Sequence, residues 1–185
     1  MDTAKANVLA GILLSPLGNR WAHVQAVAAQ GRSIANAGIS GVDNEILVTA
    51  CWLHDIGYAQ ALKTTGFHPL DGAVFLAGLG VDERIVSLVA YHSGAMYEAE
   101  ERGLSDALAA FAPADPVLLD ALTYADLTTG PKGQRVTFPE RISEILGRYG
   151  AGDPVHQAIT RAQPSLASSV KRTENLIAEA LSTIA

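Results

Sequence analysis

Four of the five histidines fall in the first half of the 185-residue chain, in the order His23, His54 with Asp55 beside it, His68 and His92, and an aspartate, Asp126, follows further on. Imidazole nitrogens and carboxylate oxygens together suit borderline and hard divalent ions such as manganese, iron, cobalt, nickel or zinc. Magnesium is less favoured by several histidines. Cys51 is the sole cysteine, so an internal disulfide and a thiolate metal cluster are both excluded, and any metal must be held by histidines and carboxylates. Water at an open position of such an ion ionises near neutral pH, which supplies a nucleophile without a reactive serine or cysteine.

The elements that must position these residues read as helices throughout, with no alternating stretch bounded by hairpin turns. Pro16 is expected to open a helix carrying Trp21, Val24, Val27 and Ala28 on one face and continuing toward Ile34, until Gly38 and Gly41 break it. Asp43 reads as the N-cap of a helix through Ile46, Leu47, Ala50, Cys51 and Leu53, ending at His54-Asp55-Ile56-Gly57. Adjacent helical residues point about 100° apart, so two neighbouring ligands aim at one place only where the last turn loosens, as glycine permits.

Pro69 starts the next expected helix directly after His68, and Asp82 caps another that runs out at Tyr91-His92-Ser93-Gly94. Asp115-Pro116 opens a helix to Asp126, Thr128 to Gly133 form a loop, and helices are expected from Pro139 to Tyr149 and from Gln163 to the end. The run Glu98, Glu100 and Glu101 reads as a solvated face, with a place at the border of the site as the alternative because it closely follows His92. Cys51 is expected in the core, and His156 as an exposed helix residue outside any ligand set. The expectation is therefore an all-α chain, one helical-bundle domain over residues 1–185, with its chemistry in about 16–130 and helices 139–185 completing the fold.

The strings Arg20-Trp21-Ala22-His23, Leu53-His54-Asp55-Ile56-Gly57, Gly66-Phe67-His68-Pro69, Tyr91-His92-Ser93-Gly94 and Tyr124-Ala125-Asp126-Leu127, in that order, resemble the HD superfamily of helical metal-dependent enzymes. The resemblance covers roughly residues 16 to 130. It implies one or two divalent ions, the first on His23, His54, Asp55 and Asp126. In dinuclear members His68 and His92 would add a second ion, and Asp55 would bridge the two. Asp55 is then the least replaceable residue for catalysis.

The commonest activity in that superfamily implies a metal-dependent phosphohydrolase acting on a small phosphate ester, a nucleotide among the options. Arg20, one turn before His23, and Lys132 and Arg135, around the loop after Asp126, are the candidates for holding substrate phosphate. Two other functions are compatible with the pattern. One is an HD-type oxygenase with a pair of irons in the same ligand order, and the other is a non-enzymatic module that binds metal or nucleotide. The resemblance has gaps. Gly57-Tyr58 stands where some nucleotidases carry an acidic residue, which leaves the general acid unassigned. The lysine and the Gly-Tyr-Pro string of cyclic-dinucleotide phosphodiesterases are absent.

Several residues also have ordinary readings. His54-Asp55 alone could end a helix, His68 could sit at a helix entrance, His92 could cap one, and Arg20 and Lys132 could serve packing and solvation. The net charge of −6 without a basic stripe argues against an extended nucleic-acid partner. No apolar run reaches membrane-spanning length, and no signal-like amino terminus is seen, so the expected setting is cytoplasmic. A homo-oligomer is compatible with the apolar C-terminal helix.

Overall fold

The computed structural model describes residues 1–39 and 41–184, and among them every regular element is helical. The chain runs through α1 (Thr3–Leu14), α2 (Asn19–Asn36), α3 (Asn44–Leu53), α4 (His68–Gly78), α5 (Glu83–Tyr91), α6 (Ala95–Glu101), α7 (Ser105–Leu108), α8 (Pro116–Leu127), α9 (Phe138–Arg148) and α10 (Pro154–Ile184). A single isolated bridge, Thr129 with Arg135, is the nearest approach to a sheet among the described residues. No described helix is long and apolar enough to cross a membrane.

The caps explain where the helices start. Asp43 accepts from Ile46 N, Asp82 from Arg84 N, and Asp115 from Val117 N and Leu118 N, so each shields amide groups that a helix leaves unpaired. Thr137 and Glu140 form a reciprocal capping box that fixes the entry of α9.

Helix α3 is the centre of the molecule. Ile46 through Leu53 are all buried, and α1, α2, α5 and α8 pack around it. The contact with α2 is close because Gly31 faces Cys51: a β-carbon at Gly31 would lie 3.3 Å from Cys51 Cβ. Cys51 is buried in this core, as expected.

Helix α10 lies across α6, α8 and α9, where Leu127, Ile145, Ala162, Leu166 and Val170 form a second apolar cluster. Arg172 ties it to α8 through paired bonds to Asp120, at 2.5 and 2.7 Å.

Three expectations about elements change. Pro16 sits in a 3₁₀ turn (Ser15–Leu17), and α2 begins only after Gly18, whose φ of 52° reverses the chain there. Helix α1 has no counterpart in the pattern-based reading. The last helix begins at Pro154 rather than Gln163, with Pro164 inside it. Proline removes one helical N–H, but burial of Ala158, Ala162, Leu166 and Val170 on either side carries the helix through. Ala185, the last residue of that expected helix, lies outside the described residues.

Candidate metal centre

His23 projects from the middle of α2, His54 caps the end of α3, His68 opens α4, His92 follows α5, and Asp126 lies in the last turn of α8. Asp55, with φ −103° and ψ 7°, has already left the helical path, so its side chain need not diverge from His54 by a full helical step. All six side chains converge. One group is His23, His54 and Asp126, the other Asp55, His68 and His92, and within each the ligand atoms lie within 4.8 Å of one another.

Asp55 faces both groups. Its Oδ2 is 3.8 Å from His23 Nε2 and 3.3 Å from His54 Nε2, while Oδ1 is 3.3 Å from His68 Nε2 and 3.9 Å from His92 Nε2.

Three of the histidines are oriented by backbone carbonyls. Nδ1–H donates to Gly130 O in His23 (3.1 Å), to Cys51 O in His54 (2.9 Å) and to Val89 O in His92 (2.7 Å). A carbonyl can only accept, so the Nδ1 tautomer is fixed and Nε2 of each neutral ring presents a lone pair to the interior.

The lone pair of His23 meets another acceptor, Asp126 Oδ1 at 3.0 Å; His92 Nε2 is 3.2 Å from His68 Nε2, where one proton can be shared, and His54 Nε2 is buried without a hydrogen-bond partner. Acceptors gathered this closely need a cation between them, either protons or metal ions. The donor set therefore fits divalent metal.

The electrostatics of the ion-free chain point the same way. Burial alone would raise the pKa of Asp126, but His23, then His54 and Arg141, outweigh it and hold the carboxyl well below its usual range. Burial opposes ionisation of Asp55 too and is likewise outweighed, first by Arg20 and then by His54. His92 is pushed down to about 3 by burial and by the charges of His68 and His54. His54 is shifted up, because the carboxylate of Asp55 overcomes the burial that would lower it.

Around this cluster lie residues the sequence did not single out. Ser93 adopts φ 48° and ψ 38°, a left-handed conformation rare for a residue with a side chain, and its hydroxyl donates to Asp126 Oδ2. Arg141 is 4% exposed, pairs with Glu144 at 2.5 Å, reaches within 3.8 Å of Asp126, and keeps an unpartnered Nε. The sequence did carry a signal for it: Arg141, Ile145 and Arg148 recur at helical spacing, so a charge stands on an inward face.

A cavity of about 80 Å³ opens beside the cluster, with Arg20, Asp55, His68, His92, Ser93 and Asp126 on one side and α9 and α10 on the other.

Of the three candidates for phosphate binding, the structure brings Arg20 to this cavity. Its guanidinium pairs with Asp55 at 2.5 Å and lies over the Tyr58 ring, which stacks on His68 with centroids 4.0 Å apart. Lys132 and Arg135 are not on the cavity wall. The loop folds back through Gly130 N to Gln134 O and the Thr129–Arg135 bridge, leaving Lys132 exposed and laying Arg135 on Tyr124.

Of the acidic run, Glu98 takes the alternative place, bordering the cavity and pairing with Arg102 at 2.7 Å. Glu100 and Glu101 do remain outward, where both pair with Arg161. His156 is half-buried and donates to Tyr149 O, away from the cluster.

Comparison with known proteins places this geometry in context. The sequence model of the HD domain matches residues 20–127, more than half of the chain. A tRNA (cytidine(56)-2'-O)-methyltransferase from Thermoplasma volcanium is 35% identical over 79 residues, which is 43% of this chain and 22% of that enzyme. The matched stretch thus covers about a fifth of that relative's length. No solved structure gives a significant match.

Proposed function

The chain belongs to the HD domain family, and from that premise we propose that it is a metal-dependent phosphohydrolase acting on a small phosphate ester. The observation that carries this reading is the convergence of carbonyl-oriented imidazole lone pairs and two carboxylates beside an arginine-lined cavity that Asp55, His68, His92 and Asp126 border. His23, His54 and Asp126 would hold one divalent ion, His68 and His92 a second, with Asp55 offering one oxygen to each. Such ions supply a water nucleophile ionised near neutrality and offset charge on phosphate oxygens.

The chain's own residues do the rest. Arg141, held by Glu144, brings a terminal guanidinium nitrogen within 3.8 Å of Asp126, and Arg20 and Arg148 line the same cavity, so three guanidinium groups can orient a phosphate dianion. Ser93 fixes the rotamer of Asp126. Tyr58, whose pKa burial raises against the opposing charge of Arg20, stays a neutral O–H in the cavity wall. The methyl transfer named for the Thermoplasma relative is not carried over, because the match spans a small part of that enzyme.

The test is phosphate release from a panel of phosphate esters by protein loaded with manganese, iron, cobalt, nickel or zinc. Release that requires the metal and disappears in Asp55→Asn, with helical content unchanged, is the expected result. The complete second group of Asp55, His68 and His92 also suits a diiron oxygenase. Two bound irons with substrate-dependent oxygen uptake, and no phosphate release, would replace the hydrolase with that function. Protein that binds no metal and has neither activity would point to a non-enzymatic module.

A further inference from the structure

We infer that the ester handled at this centre carries an apolar body, an alkyl or aryl group, held against Ile145, Tyr149, Val155 and Ile159, rather than a nucleoside. This rests on the phosphohydrolase reading above and names its substrate class.

The two sides of the cavity differ in origin and chemistry. The polar side, from Arg20 to Asp126, lies within the family-matched stretch of residues 20–127. The opposite wall comes from α9, α10 and the turn between them, outside that stretch, so the family does not dictate it. Ile145 is 6% exposed and packs in the second apolar cluster, and half-buried Tyr149, Val155 and Ile159 pack against the same cluster. All four side chains line the cavity.

Several polar atoms near this wall are engaged: Glu98 Oε1 accepts from Arg102 at 2.7 Å, Arg148 Nε lies 2.8 Å from Glu144, and Tyr149 O accepts from His156. A ribose or a base edge set against Ile145, Val155 and Ile159 would meet side chains without a polar atom, and each hydroxyl or amide left unpaired there costs several-fold or more in affinity.

The phosphate end is provided separately. A neighbouring groove shares Arg20, Arg141 and Arg148 with the cavity; Glu144 is the carboxylate in its lining, while Arg20 also pairs with Asp55 and Arg141 approaches Asp126. Anionic head and apolar body thus have distinct places.

The experiment uses the full chain loaded with its metal and a series of n-alkyl phosphates from ethyl to hexyl, beside glycerol phosphate and the nucleoside 5′-monophosphates. kcat/KM should rise about fourfold per methylene until the cavity is filled. The alkyl esters should outrun the nucleotides. The matching alkylphosphonates, which cannot be hydrolysed, should bind more tightly with length and with a negative heat-capacity change. Ile159→Thr and, separately, Val155→Asn should flatten the dependence on chain length, with thermal melting to show that each variant folds.

Preference for nucleotides, or a flat series, with phosphate release intact overturns the apolar-body inference and leaves the hydrolase standing. Absence of release from every ester, with alkylphosphonates still binding in order of length, overturns the hydrolase and supports the apolar pocket.

Discussion

Replacing Gly57 by alanine should damage the second half of the metal centre before the first. Gly57 lies in the 3₁₀ turn after Asp55, and its Cα is pressed against the first turn of α4. A β-carbon there would overlap the carbonyl oxygen of His68 and sit 2.8 Å from both its carbonyl carbon and Gly72 N. Contacts with real β-carbons are essentially never under 3.0 Å, and the obstructing atoms are backbone, so α4 must retreat by on the order of 1 Å.

The energetic cost of such overpacking is about 2 kcal/mol. For a chain of this length that is a fall of about 4–8 °C in Tm. His68 would retreat with α4 from Asp55 Oδ1, now 3.3 Å away, and from His92 Nε2, now 3.2 Å away. His23 and Asp126 lie on α2 and α8 and His54 caps α3, so none of the three is carried by α4. Thermal unfolding and metal content of Gly57→Ala together test this reasoning. The expected outcome is a lower Tm with selective loss of one ion. A variant as stable as the parent, with its full metal complement, would refute the close-approach argument.

Ser93→Gly should be more stable than Ser93→Ala by about 1 kcal/mol, because both lose the bond to Asp126 but only glycine relieves the left-handed backbone; urea unfolding of the pair decides, and equal midpoints would mean the strain is absent. In metal-free protein His92 is held at about 3, whereas an unfolded histidine protonates near 6.5, so the folded state binds fewer protons across that interval and stability drops as pH falls. The loss should be about 2 kcal/mol between pH 6.5 and 5. His54, shifted upward, keeps its full contribution below 6.5, and the depressed Asp55 and Asp126 add their losses only below about 4. Equal stability of the metal-free protein at pH 7 and pH 5 would contradict the shift. Arg141→Lys should raise KM for a phosphate ester about tenfold, while Lys132→Ala and Arg135→Ala, off the cavity wall, should leave turnover within about twofold; steady-state kinetics on the three variants would expose the opposite pattern.

Much of the frame that brings His23, His54, Asp55, His68, His92 and Asp126 together was legible because helix ends advertise themselves. Asp43, Asp82 and Asp115 cap as their sequence contexts suggest, and Gly57 and Pro69 bracket the turns that deliver Asp55 and His68. These local signals act over three or four residues, which is the range that sequence patterns report.

What could not be read depends on packing between distant segments. The bonds from His23 to Gly130 O and from Ser93 to Asp126 join residues 107 and 33 apart, and no local pattern encodes them. The bridge to Thr129 turns Arg135 toward Tyr124, and α10 starts nine residues before Gln163, at Pro154, because burial of Ala158 and Ala162 adds two turns. Arg141 was overlooked although its place on the inward face of α9 marked it.

The most direct measurement is the metal content of the purified full chain by elemental analysis, before any metal is added, with His68→Ala and Asp55→Asn alongside. Two divalent ions per chain, one in His68→Ala and none retained in Asp55→Asn, is the expected result, since Asp55 faces both ligand groups. A chain that carries no metal and takes none up when it is offered, or an Asp55→Asn variant that keeps both ions, would contradict a metal centre built around Asp55.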